Sequence, residues 1–209
     1  MVPVTQFFPR LLPQVLGCPE PFAAQAVVDA AIEFCEKSLC VQATLDAAPV
    51  TAGVSQYEFE LPMQTALVQV LSAICGTRSL VPVPSASVTA APSLAGTPQY
   101  FYTRDVDEVL TAFLFPTPDK SDPLGLTFRV ALRPTRVATQ LHSSLFDQWA
   151  DAIVDGAAAR IMATAGQPFT NEAKAVVLMQ KFRGQVNAAR LEALRGRVVS
   201  SMSVNMRSF

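Results

Sequence analysis

The spacing of apolar residues changes twice along this chain, and that pattern limits the possible folds more than any motif does. Before about residue 40 apolar side chains recur every three or four positions, from Val41 to about Val137 every two, and after Gln140 every three or four again. The first spacing lines one face of a helix and the second lines one face of a strand. A parallel sheet with crossover helices would alternate the two signals instead of grouping them. The expected class is α+β: a four-helix bundle formed by N- and C-terminal helix pairs, residues 1–40 and 138–197, with an antiparallel β-sandwich or barrel inserted over 41–137.

The first pair opens with a short irregular helix over Val4–Leu16, interrupted by Pro9 and Pro13, and a turn over Gly17–Pro21. The second helix is expected over Phe22–Leu39, with Pro21 suited to its first turn. Gln25, Asp29, Glu33, Glu36 and Lys37 make one thin polar stripe on it. Ala23, Val27, Ala30 and Phe34, together with Val28, Ile32, Cys35 and Leu39, cover the rest. A helix apolar on more than one side is either buried in a larger bundle or sandwiched between subunits.

In the middle segment Gln56–Leu61 alternates without error, with Tyr57, Phe59 and Leu61 on one face and Gln56, Glu58 and Glu60 on the other. Further strands are expected at Leu67–Leu71, Gln99–Arg104, Val109–Phe115 and Thr127–Leu132, punctuated by Pro62, Pro116, Pro118, Pro123 and Pro134. The uncharged run Ser79–Thr103 carries Pro82, Pro84, Pro92 and Pro98 and reads as a loop. The second helical pair follows. Ser143 or Ser144 can cap a helix from Leu145 to about Ala165, with Asp147, Asp151 and Asp155 stacked along it. Gly166–Pro168 ends it, and Thr170 or Asn171 caps a last long helix with the seam Ala175, Leu178, Met179, Phe182, Val186, Ala189 and Ala193.

Composition now decides between partners. Half of the 209 residues are hydrophobic, only 16% are charged, and the mean hydropathy is +0.30. That excludes a disordered chain and leaves an apolar excess to be covered by lipid or by protein. Proline breaks the longest uncharged run, and Leu61–Thr77 is too short and is interrupted by Gln64 and Gln69, so neither spans a membrane as a helix. The start of the chain lacks the unbroken apolar run of an export signal. The expectation is a soluble protein, cytosolic where it is made, with protein as its partner. Cys18, Cys35, Cys40 and Cys75 show no paired C-x-x-C spacing and are expected to be thiols packed as small hydrophobes, without a zinc site.

Catalytic chemistry lacks its parts. The single histidine, His142, stands at a helix entrance with no nucleophile elbow near any Ser or Cys. The nine glycines are scattered, without phosphate-loop spacing. Glu58 and Glu60 share a solvated strand face, and an aspartate stripe without other ligands is a wet surface more often than a metal site. No enzyme activity, cofactor or metal is expected. Charge is polarised instead. Residues 173–209 carry seven Lys and Arg against Glu192, a net of +6, which leaves −7 on residues 1–172. A basic end suits an acidic protein surface or nucleic acid, although the aspartate stripe can also simply face the basic helix. No sequence-reading motif accompanies it, so contact with DNA would be passive.

Taken in order, Ala31–Cys35 closing the second helix, Val50–Pro62 opening the sheet, Trp149–Ala157 followed by Gly166–Phe169, and Lys181–Arg183 to Arg190 in the last helix resemble the head-to-tail adaptor proteins of tailed bacteriophages. Two positions depart from that pattern: Leu141-His142 stands where Leu-Pro often precedes the third helix, and Val41 where an aromatic often follows the first pair. The resemblance implies a structural virion protein. It would form a ring, commonly of twelve copies, beneath the portal, connecting the filled capsid to the tail or nozzle around the DNA channel. The helical part would pack on the portal and on neighbouring copies, the β part would face the tail, and an extended segment over 198–209 would dock on the portal. Candidate portal contacts are then Val198, Val199, Met202, Val204, Met206, Arg207 and Phe209. Candidate subunit contacts are Val28, Ile32 and Leu39, the stripe Asp147, Asp151 and Asp155, and Lys181, Arg183 and Arg190. Lys174, Arg195 and Arg197 are candidates for the channel wall. A second function class also fits the residues: a soluble carbohydrate- or cell-wall-binding or processing module that uses strand faces near Tyr57 or Tyr100 as its platform.

Overall fold

The computed structural model of the protein describes residues 1–45, 48–84, 95–106 and 109–196. The helices are α1 (Phe8–Leu11), α2 (Glu20–Ser38), α3 (Ser143–Met162) and α4 (Glu172–Arg195). The strands are β1 (Val2–Pro3), β2 (Gln42–Thr44), β3 (Ala48–Val50), β4 (Gln56–Phe59), β5 (Thr65–Cys75), β6 (Arg78–Pro82), β7 (Ala95–Gly96), β8 (Tyr100–Val106), β9 (Val109–Phe115), β10 (Thr117–Pro118), β11 (Asp122–Pro134) and β12 (Gln140–Leu141). The chain divides into two compact units, Met1–Cys40 with Leu141–Phe209, and Val41–Gln140.

The helical unit is not the expected four-helix bundle of two pairs. Pro9 and Pro13 leave the first segment with a single α-turn, Phe8–Leu11, between two 3-10 turns, Val4–Phe7 and Leu12–Gln14. Three long helices therefore make the unit, one before and two after the β residues. α3 lies at its centre. Every residue from Ala152 to Ala159 is buried, because α2 packs against this helix, α4 packs against it, and the α1 segment adds a further contact. The small side chains of that stretch let three helices approach one axis closely. α2 begins at Glu20, just after its N-cap residue Pro19 at φ −63°, and is closed by a left-handed Leu39 at φ 56°.

The caps of the later helices refine the sequence reading. α3 is capped by His142, whose Nδ1 accepts the Ser144 N–H at 3.3 Å, so both serines lie inside the first turn. Burial, and then the positive charge at the Met1 amino group, push the His142 imidazole below its ordinary value, which keeps that nitrogen free to accept at neutral pH. α4 is capped by Asn171, whose Oδ1 accepts the Lys174 N–H at 3.0 Å.

The β unit departs further from expectation. It is a mixed eight-stranded sheet in the order β2-β11-β5-β6-β8-β9-β4, with β3 also on β11, and not an antiparallel sandwich or barrel. Strand β6 pairs antiparallel with β5 and parallel with β8, and β7 pairs parallel with β10. The stretch read as a proline-rich loop thus contributes β6, β7 and the start of β8. Its signal was weak because β6 buries only Leu80 of its five residues, which leaves no alternation to detect. Where alternation was strong it decided the faces: Tyr57 and Phe59 are buried, and Gln56 and Glu58 are exposed. Gly125, at φ 72°, passes so close to the Ala48 carbonyl that a Cβ there has no room, which explains the register shift between β3 and β11.

Candidate assembly surface

In the helical unit the packing separates side chains that hold the unit together from those left for a partner. The holding set centres on Phe182. Its ring lies 6.0 Å from Phe34, and Phe34 in turn lies 5.5 Å from Trp149, while the Arg160 guanidinium sits 5.4 Å from the Phe182 centroid. Arg160 also donates to the Gly156 carbonyl at 2.7 Å and to the Glu33 carboxylate, which Lys37 approaches from its other side. Burial alone would push the Glu33 carboxyl up. The Lys37 hydrogen bond and the charges of Arg160, Lys37 and Arg183 outweigh it and hold the carboxyl below its ordinary value.

That direction fixes a pH dependence. A carboxylate whose folded value lies below its unfolded value of about 4.3 stabilises the fold above that value, and the contribution disappears as pH falls through the folded value. As pH falls through the carboxylate range the protein is therefore expected to lose the stability that this group contributes. Glu33→Gln should flatten that part of the curve of urea midpoint against pH; an unchanged slope would remove Glu33 from the account.

The aspartate stripe does not act as one surface. Asp155 is buried on α3 and lies 2.8 Å from the Lys181 ammonium on α4, the two side chains being 8% and 58% exposed. That hydrogen bond, with the added charge of Asp155, pushes the Lys181 ammonium up from its ordinary value. Asp151 is exposed and pairs at 2.8 Å with Arg10, and Asp147 is exposed. Val28 and Ile32 are buried within the unit, and Leu39 is half-buried at the end of α2. So α2, read as apolar on two sides, finds both sides covered inside its own chain. Arg183, Arg190, Lys174 and Arg195 are exposed on α4. Arg197 and the candidate portal contacts Val198, Val199, Met202, Val204, Met206, Arg207 and Phe209 lie outside the described residues.

Among the described residues of this unit most of α4 is uncovered, as are Leu16 and Phe22. Only Ala175, Phe182, Val186 and Ala189 of its 24 residues are buried. Val176, Val177, Leu191 and Leu194 project outward, Val177 at 62% and Leu194 at 64% exposure. Between α3 and α4 a groove of about 510 Å³ is lined by Ala159, Ala163, Ala175, Val176 and Met179, with Glu172 and Arg183 at its polar side. Exposed apolar side chains grouped on one helix mark a contact surface. Sequence reading passed over Val176 and Val177 because a seam needs only one residue per turn. The signal was the unbroken apolar run Ala175–Met179, which is wider than one helix face.

In the β unit Tyr57 is buried. Its hydroxyl accepts the Thr51 N–H at 3.1 Å and donates to the Val54 carbonyl at 2.9 Å, closing the loop before β4. Tyr100 is partly exposed, and neighbouring Tyr102 stacks on Phe113 with centroids 4.7 Å apart and planes within 5°. Among the described residues no group of three or more His, Cys, Asp and Glu is arranged to hold a metal ion, and no helix is long and apolar enough to cross a membrane.

Against known families this arrangement is matched along almost its whole length. The family described as SU10 adaptor protein fits residues 10–207. The chain belongs to the SU10 adaptor protein family. Membership makes this adaptor a structural component of a bacteriophage virion, one that contacts other structural proteins of the particle. No curated protein matches the chain. The match spans both units, so the β unit and the exposed α4 face belong to the adaptor as much as the buried helices do.

Proposed function

We propose that this adaptor forms a ring, twelve copies being the expected number, beneath the portal of the filled capsid and joins it to the tail around the DNA channel. The uncovered α4 carries this reading. A monomer has no use for Val176, Val177, Leu191 and Leu194 on one helix, whereas a subunit held between neighbours covers them. Charge supports it. The exposed cations Arg183 and Arg190 of one copy complement the exposed Asp147 of the next, and a contact between two different faces generates a ring when its rotation closes.

In this reading Val28 and Ile32 act from beneath the surface by setting the position of α2, Leu39 borders the contact, and Asp155 orients Lys181. The helical unit binds the portal and the β unit binds the tail or nozzle. The segment with Val198, Val199, Met202, Val204, Met206, Arg207 and Phe209 docks along the portal, and Lys174, Arg195 and Arg197 line the channel, where phosphate contact needs no sequence motif.

Mixing the purified protein with portal rings and imaging the product by electron microscopy tests the assignment. A second ring should appear on the portal, and removal of residues 198–209 should leave the far-ultraviolet circular dichroism intact while lowering portal occupancy at least tenfold, about 1.4 kcal/mol of binding. Failure of the full chain to form a ring on the portal refutes the reading, and equal occupancy of the truncated chain refutes the docking role of that segment.

A further inference from the structure

Cys35 and Cys40 bracket the end of α2, and their thiols are in hydrogen-bonding contact. The backbone brings them together. α2 ends at Ser38, and Leu39 takes a left-handed φ of 56° with its N–H donating to the Cys35 carbonyl at 2.9 Å. A left-handed residue just past a helix end turns the chain back over the last turn, so the residue after it meets the one three positions before the cap. Cys40 and Cys35 hold those two places. Ser38 fixes the turn, its hydroxyl donating to the Phe34 carbonyl at 2.6 Å and accepting the Cys40 N–H at 3.3 Å. Cys35 is fully buried, while Cys40 is partly exposed and is the last residue of the chain before the β unit begins. Cys18 is engaged elsewhere, its Sγ donating to the Pro19 carbonyl, and Cys75 belongs to the β unit.

We propose that Cys35 and Cys40 are a site of oxidative modification, closing to an intramolecular disulfide when the protein passes from a reducing to an oxidising medium. A virion component meets that change when the particle leaves the cell. The oxidant is a small-molecule disulfide of the glutathione class. The accessible Cys40 thiolate attacks one of its sulfurs, its S–S bond breaks, and one small thiolate leaves. The Cys35 thiolate then attacks the Cys40 sulfur of the mixed disulfide, that S–S bond breaks, and the second small thiolate leaves. Two protein thiols are oxidised, one small disulfide is reduced to two thiols, and the two cysteine protons pass to the departing thiolates through water.

The hydrogen bond with Cys40, and then burial, hold the Cys35 thiol well above its ordinary range. Closure is therefore slow at neutral pH and should quicken on the order of tenfold per pH unit on the alkaline side. The enclosed loop is short, so the bond constrains the helix end and adds little to global stability.

The test uses the full-length native protein, oxidised glutathione at pH 8.5, alkylation, and digestion with trypsin and a glutamate-specific protease. Cleavage after Glu33, Glu36, Lys37 and Glu58 places Cys35 and Cys40 on separate peptides, each free of Cys18 and Cys75. The expected products are a protein lighter by about 2 Da and a linked pair of peptides, Phe34–Glu36 with Ser38–Glu58. Cys18→Ser and Cys75→Ser should form the same pair at an unchanged rate, and Cys40→Ser should form none. Retention of all four thiols, a stable glutathione adduct on Cys40, or a link through Cys18 or Cys75 would each overturn the proposal. The peptide mapping of the unaltered protein decides this even if Cys40→Ser does not fold.

Discussion

Phe182→Ala is expected to lower the stability of the helical unit by about 3–5 kcal/mol, the range for emptying a fully enclosed phenylalanine site. The ring is completely buried between Phe34 and the Arg160 guanidinium, and it lies directly over Gly156. A Cβ placed on Gly156 would stand 2.7 Å from Phe182 Cδ2, closer than a carbon contact allows. Gly156→Ala alone should therefore cost about 1–3 kcal/mol by overpacking. In the Phe182→Ala background the clash is gone, and alanine gains about 1 kcal/mol over glycine within a helix. The sign of the second substitution thus reverses: the double variant should be more stable than Phe182→Ala. Urea unfolding of the four proteins measures this directly. Costs that simply add would show that Gly156 and Phe182 do not share the contact.

The same pair shows what a linear sequence can carry. α2 and α4 were legible as helices because their apolar residues repeat at a helical period, and Tyr57 and Phe59 could be assigned to a buried face because alternation leaves a strand one choice. Gly156 was placed on the right helix, yet nothing local says that an aromatic ring from a segment twenty-six positions on will press on it. Asp155 was grouped with Asp147 and Asp151 by spacing alone. Its burial depends on where α4 crosses α3, which no spacing within α3 encodes. The parallel pairing of β6 with β8 was illegible for a related reason: it rests on backbone groups of a strand whose side chains are mostly exposed. Of the surface assigned to assembly, the cations of α4 were read from charge, and Val176 and Val177 emerged only once the buried seam had been subtracted. The meeting of Cys35 and Cys40 depends on Leu39 adopting a left-handed conformation, which its residue type disfavours.

Phe128→Ala is expected to remove about 3–5 kcal/mol from the β unit. Phe128 is almost wholly buried on β11, with the Phe59 ring edge-on at 4.7 Å and 87° and the Phe101 ring at 5.4 Å. Such aromatic pairs contribute about 0.5–1.5 kcal/mol beyond the area they bury. Its strand carries ladders to β2, β3 and β5, so the loss reaches both sides of β11. Phe128→Leu, which retains most of the volume, should cost less than half as much. The rings around Phe182 and those around Phe128 belong to different compact units, so calorimetry is expected to resolve two transitions, with Phe182→Ala moving one and Phe128→Ala the other. Equal shifts of both transitions in either variant would mean that the units unfold as one. If the helical unit binds the portal and the β unit the tail, the two lesions also separate in assembly: near the Phe128→Ala melting point the protein should keep its place on portal rings while losing the tail protein, and Phe182→Ala should lose the portal first. Loss of both partners in parallel would contradict that division of labour.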